Sequence, residues 1–124
     1  MDQPGIGGEC LLKEQEHRDL FPGALEMMIL RTLKTQPLHG YALTQHIKRA
    51  SDDLLQIEEG SLYPALQRML KEGWVKAHWG ISSRNRRVRI YQLTPAGARH
   101  LQQEVSRFER MLEGITRVLK PVES

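Results

Sequence analysis

Between Ser61 and Leu93 the chain passes without a linker from an amphipathic helix into two β-branched, aromatic runs separated by a polar tip. A helix feeding straight into a hairpin restricts the fold, because both must bury an apolar face against whatever precedes them. Ser61 is an N-cap residue by type, and Pro64 falls in the first turn, where a missing amide proton is harmless. Leu62, Ala65, Leu66, Met69 and Leu70 recur at the spacing of one buried helical face. Gly73 supplies a left-handed C-terminal position, and Trp74 can fold back on Met69 to close it. The stretches Trp74–Trp79 and Arg87–Leu93 read as strands, with Gly80 to Arg86 as the tip. Val88 and Ile90 oppose Arg89, Tyr91 and Leu93, so the alternation leaves open which face is buried.

Two shorter helices precede this unit. In Ala24–Thr35, Leu25, Met28, Ile29 and Leu33 form a core stripe, while Met27 and Leu30 make a second apolar patch. A helix with two apolar sides in so small a protein is either fully buried or shared with a second subunit. Gln36-Pro37-Leu38 ends it, and His39 or Gly40 opens the next helix, with Leu43, Ile47 and Ala50 inward. Ser51-Asp52-Asp53 stops that helix, and a connector through Leu54, Leu55 and Ile57, with room for a short strand, closes at Gly60. Residues 1–8 hold three glycines and a proline and are expected to be disordered; Glu9–Leu20 reads as a weak acidic helix.

Thr94-Pro95 is a strong helix start, and the last helix is expected to run to about Leu119. Leu101, Val105, Phe108, Leu112, Ile115 and Leu119 are spaced four, three, four, three, four, which is a heptad seam. Six such side chains at roughly 1.5–2 kcal/mol each would contribute on the order of 10 kcal/mol if fully buried. A micromolar dimer needs about 8 kcal/mol after the costs of association. The seam alone is marginal, so Met27 and Leu30 are expected to complete a homodimer interface. The chain divides into an arm (1–20), a core unit (21–94) and a dimerisation helix with its tail (95–124).

Charge points to the partner. The whole chain is +3, yet residues 61–100 carry eight basic residues against Glu72 alone, or +7. By the same count residues 1–20 come to −3, residues 21–60 to −1 and residues 101–124 to zero. Positive charge gathered on a helix and a hairpin is the footprint of a polyanion. Helix, helix, polar-faced third helix and basic hairpin is the order of a winged helix-turn-helix, mainly α with a small β-hairpin. In that arrangement Arg68 would read guanine and Gln67 adenine, with Ser61 and Tyr63 near the helix start and Lys71 on the same exposed face. Arg84, Arg86, Arg87 and Arg89 would grip phosphates or enter a narrow minor groove. Each has a plainer role: solvated helix charges for Arg68 and Lys71, edge-strand protection for the hairpin arginines.

Other classes find less support. The five histidines fall at no metal or catalytic spacing, and no glycine-rich loop follows a strand, so no enzyme and no cofactor are expected. A metal-responsive regulator would use His100 and Glu104, one helical turn apart. A protein-binding winged helix is the third reading, disfavoured by the cationic wing. Absence of a long apolar run or signal-like start gives a cytoplasmic expectation, without membrane contact, and single Cys10 permits no internal disulfide.

Beyond these patterns, residues 20–119 resemble the PadR family of bacterial transcriptional regulators. The resemblance rests on Pro37-Leu38-His39-Gly40-Tyr41, on Glu59-Gly60-Ser61-Leu62-Tyr63-Pro64-Ala65-Leu66 with Arg68, on Gly73-Trp74-Val75, and on Arg87 through Tyr91-Gln92-Leu93-Thr94 to Gly97. It implies a homodimeric repressor that binds an inverted-repeat operator in double-stranded DNA and is released by a small aromatic molecule. It further implies that Ser61, Tyr63, Pro64 and Arg68 face DNA, with His39 and Tyr41 near the backbone and Arg86 and Arg87 in the wing. The single C-terminal helix is similar to the shorter branch of the family. Residues 1–20 depart from the usual family start.

Overall fold

Residues 23–121, described by a computed structural model, follow the order α1 (Ala24–Leu33), β1 (Leu38–His39), α2 (Gly40–Ala50), α3 (Glu59–Glu72), β2 (Val75–Ile81), β3 (Arg87–Leu93) and α4 (Pro95–Leu119). The three strands form one antiparallel sheet in the order β1-β3-β2. A mainly helical unit with a small sheet in this order is a winged helix. The expected arm and Cys10 lie outside the described residues.

α1 is the centre of the packing, contacting α2, α3 and α4. Its Ile29, Leu30 and Leu33 meet Leu43 and Ile47 of α2 and Leu62, Leu66 and Met69 of α3 in one buried cluster. Leu30 of the second apolar patch is therefore consumed within the protomer, while Met27 stays partly exposed. Leu30, expected at a subunit interface, is fully buried in this core and cannot reach a partner. The same correction applies to Leu101, which the first turns of α4 press into the core at 4% exposure. Ala50, expected to face inward, is exposed, because α2 ends there in a turn through left-handed Asp52 and Asp53.

α3 starts two residues before the expected cap. Glu58 is the extended N-cap residue, and its carbonyl accepts from Ser61 N (2.9 Å) and Leu62 N (2.9 Å). Ser61 thus lies within the first turn rather than capping it, and Pro64 sits inside the helix. At the other end the expected closure is present. Gly73 has φ 81°, Trp74 N donates to the Met69 carbonyl at 2.9 Å, and Gly73 N to that of Leu70 at 3.1 Å. The connector 51–58 contains no strand; the extra strand is Leu38–His39, pairing with Tyr91 and Ile90. Two residues after Pro37 are too few to carry an alternating pattern.

Pairing across the hairpin resolves its faces. Val75 lies opposite Leu93, Ala77 opposite Tyr91, Trp79 opposite Arg89 and Ile81 opposite Arg87. Val75 and Tyr91 anchor this face in the core, and its outer half leaves the domain. The tip is closed by Ser82 N donating to the Arg86 carbonyl at 2.7 Å, with Asn85 in the left-handed conformation that asparagine tolerates.

The start of α4 is locked to the end of α3. Thr94 Oγ1 accepts from Gly97 N at 3.0 Å, capping α4, and donates to the Gly73 carbonyl at 2.6 Å. Thr94 N donates to the Trp74 carbonyl at 3.1 Å, and the His100 ring stacks on Trp74 with centroids 3.6 Å apart. Gly97 lies directly under that carbonyl: a Cβ there would strike the Trp74 oxygen and come within 2.9 Å of its carbon. Backbone cannot yield as a flexible side chain does. Gly97→Ala is expected to destabilise the fold by about 2–3 kcal/mol. Gly114→Ala, at a helical position open to solvent, should raise stability by up to about 1 kcal/mol. Denaturant titration of both variants checks the pair; equal effects would contradict the close approach.

Candidate nucleic-acid interface

With Leu62, Ala65, Leu66 and Met69 committed to the core, helical periodicity forces Tyr63, Pro64, Gln67, Arg68 and Lys71 outward. All five are exposed, and Ser61 is half-buried. This face presents two cations, an amide, a phenol and a proline, with Glu72 at its far end. Tyr63 leans across to the start of α2. Its hydroxyl would lie 2.5 Å from a Cβ on Gly40, so only glycine admits the ring there. The contact brings Tyr63 beside the His39–Tyr41 segment, where His39 is half-buried in β1 and Tyr41 is exposed on α2. Burial, then the Glu59 carboxylate and Tyr91, hold the Tyr63 phenol above its usual range, so it remains a protonated donor at neutral pH.

Arg68 has a partner that the sequence did not reveal. Its Nε and Nη2 both donate to Glu26 Oε2 on α1, at 3.1 and 2.6 Å. The two residues are 42 positions apart, so no local spacing announces the pair. The Arg68 side chain keeps 59% of its surface exposed. An exposed pair of this kind contributes about 0–1 kcal/mol. One edge of the guanidinium rests on Glu26, and the Nη1 edge is turned away from that carboxylate.

In the wing, Arg84, Arg86, Arg87 and Arg89 are all exposed, as the sequence suggests, and so is Lys76. Two of them are organised by Trp79, which the sequence places only at the end of the first hairpin strand. The guanidinium carbons of Arg87 and Arg89 lie 4.5 and 5.6 Å from the centroid of the Trp79 ring. The hairpin register would have revealed this stack, but the register depends on where the turn closes.

The expected interface residues other than Leu30 and Leu101 divide in two. Met27, Val105, Phe108 and Leu112 line an open apolar groove of about 840 Å³, together with Met28 and Ile47. Ile115 and Leu119 lie beyond it, on a stretch of α4 that is mostly exposed. Within the protomer His100 stacks on Trp74, and Glu104 faces Arg107 at 3.5 Å. Among the described residues no helix is long and apolar enough to cross a membrane.

This architecture has known counterparts. A transcriptional regulator from Clostridium thermocellum superposes with a TM-score of 0.75 at 28% identity, over 82% of this chain and 99% of that one. An uncharacterized protein of Lysinibacillus sphaericus is 28% identical over 105 residues, covering 85% of this chain and 96% of its own length. Bacillus subtilis PadR, solved in complex with operator DNA, shares the fold at 24% identity and a TM-score of 0.59, over 66% of this chain and 46% of that one. Residues 29–103 match the sequence profile of the transcriptional regulator PadR-like family, and the chain belongs to that family.

Proposed function

We propose that this protein is a sequence-specific DNA-binding repressor that acts as a homodimer on an inverted-repeat operator and is released by a small aromatic effector. The observation that carries the reading is the exposed cationic face of α3 followed at once by a wing bearing four exposed arginines. The B. subtilis relative in complex with operator DNA supports the same use of the fold. In this reading α3 lies in the major groove, with Ser61, Tyr63, Pro64, Gln67, Arg68 and Lys71 toward the DNA. His39 and Tyr41 flank the backbone, and Arg84, Arg86, Arg87 and Arg89 act from the wing. The cytoplasm is the compartment such a role implies.

Dimerisation is supported by the far half of α4. Leu112, Val118 and Leu119 are 46%, 82% and 75% exposed, on a helix whose buried residues, Gly97 and Leu101, lie near its start. An apolar helical overhang with so little support from its own domain favours a partner. With Leu30 and Leu101 committed to the core, the interface reduces to Met27, Val105, Phe108, Leu112, Ile115 and Leu119. The groove beside Phe108 is also where an aromatic effector would bind.

Arg68 fits a base-reading role despite its ion pair. A bidentate contact to guanine discriminates by about 1–3 kcal/mol, more than the exposed pair to Glu26 contributes.

Selection of the full chain against a random duplex pool at about 150 mM salt tests the central claim. An inverted repeat with half-sites about one turn apart, ~34 Å, is expected; failure to retain any DNA would overturn the reading. Arg68→Lys keeps the charge but loses the fork, so it should relax preference at one base pair by about 1–3 kcal/mol while the salt dependence stays unchanged. Leu112→Glu should shift sedimentation toward a monomer. A dimer as tight as wild type would remove α4 from the interface.

A further inference from the structure

The outer half of the wing carries an arrangement that net charge does not explain. Trp79 is 56% exposed and Ile81 64% exposed, on the face whose inner half, Val75 and Tyr91, is core. A hairpin needing only solubility and protected edges would not place a tryptophan there. Arg89 stands directly across the ladder from Trp79, and Arg87 lies one pair further out on the same face. Both guanidinium carbons fall within the ~6 Å reach of a cation–π contact with the one ring, at 4.5 and 5.6 Å.

A stacked guanidinium uses its flat face on the ring and keeps its in-plane N–H donors for another acceptor. The ring also restricts two long side chains that would otherwise lose rotamer freedom on binding. The result is a pair of oriented cations, with unspent donors, at the end of a narrow two-stranded projection. The site that suits this geometry is a narrow minor groove. A·T-rich tracts there combine strong negative potential with acceptor-only base edges, and arginine is the side chain they draw.

Resting on the DNA-binding reading above, we propose that Trp79 is a positioning residue: it holds Arg87 and Arg89 so that the wing enters a narrow, A·T-rich minor groove flanking each half-site. Trp79 thereby sets a preference outside the segment that α3 reads. Ile81, opposite Arg87 at the outer end of the same face, supplies the apolar surface that lies against deoxyribose.

The test compares wild type, Trp79→Phe, Trp79→Leu and the double variant Arg87→Gln/Arg89→Gln, all as full chains, by selection from a random duplex pool and by titration of the selected site. Trp79 is largely exposed, so Trp79→Leu should keep the wild-type melting curve, and the other two variants carry the test if it does not. In Trp79→Leu and the double variant the A·T preference in the flanks should vanish and affinity fall about tenfold, with the half-site motif unchanged. Trp79→Phe keeps a ring and should retain the preference. Binding should also change tryptophan emission in wild type, and this change should be absent from Trp79→Phe. The proposal is overturned if Trp79→Leu keeps the wild-type flank profile, or if Trp79→Phe loses as much as Trp79→Leu. If wild type itself retains no duplex, the DNA-binding reading falls and takes this proposal with it; an intact half-site motif with indifferent flanks removes only the proposal.

Discussion

The placement of every exposed element depends on how the chain is joined at Trp74. This residue lies between the end of α3 and the first strand of the hairpin, and receives the start of α4. Its amide closes the α3 C-terminus on Met69, its carbonyl accepts from Thr94, and its ring stacks on His100. The Thr94 hydroxyl adds a bond to the Gly73 carbonyl and caps α4 at Gly97. Three elements that point in different directions therefore share one small, hydrogen-bonded corner. Such a corner is directional in a way that the surrounding apolar core is not: hydrophobic burial rewards any close packing, whereas these bonds weaken steeply away from their preferred angles. The wing, the exposed face of α3 and the axis of α4 are held in a fixed relation for that reason. Gly97 is part of the same device, since α4 can approach so closely only where no Cβ intervenes.

From that corner the molecule separates its surfaces by chemistry. Cations collect on α3 and on the wing, while apolar side chains left over from the core collect along α1 and α4. α1 touches both regions. Glu26 holds one edge of Arg68 on α3, and the neighbouring Met27 and Met28 line the groove beside Phe108. The ion pair contributes little to stability, yet it orients one edge of the guanidinium.

The legible part of the sequence and the hidden part differ by a single criterion, the distance along the chain over which the cause acts. The core face of α3, its Gly73 terminus, the capped start of α4 at Thr94-Pro95 and the four cations of the wing are all set within a turn or a strand. Patterns of three, four or two residues therefore expose them. The short strand at Leu38–His39 has no such pattern and exists because β3 lies beside it. The true start of α3 at Glu59 was obscured because Ser61 resembles a cap, while Glu58 accepts the first bonds without side-chain help.

Sequence alone thus determined the order of the described helices and the hairpin, the concentration of charge and the resemblance to PadR regulators, since each follows from residue types and near-neighbour spacing. Tertiary structure decided which apolar residues are spent inside the protomer. Leu30 and Leu101 look like candidates for an interface by periodicity, yet they are core because α1 is surrounded by three helices. It also decided which charges have partners, pairing Arg68 with Glu26 across 42 residues and setting Arg87 and Arg89 against Trp79. Periodicity states that a face is apolar or charged; only the packed chain determines what that face meets, because contacts between distant segments depend on the joint geometry of all of them.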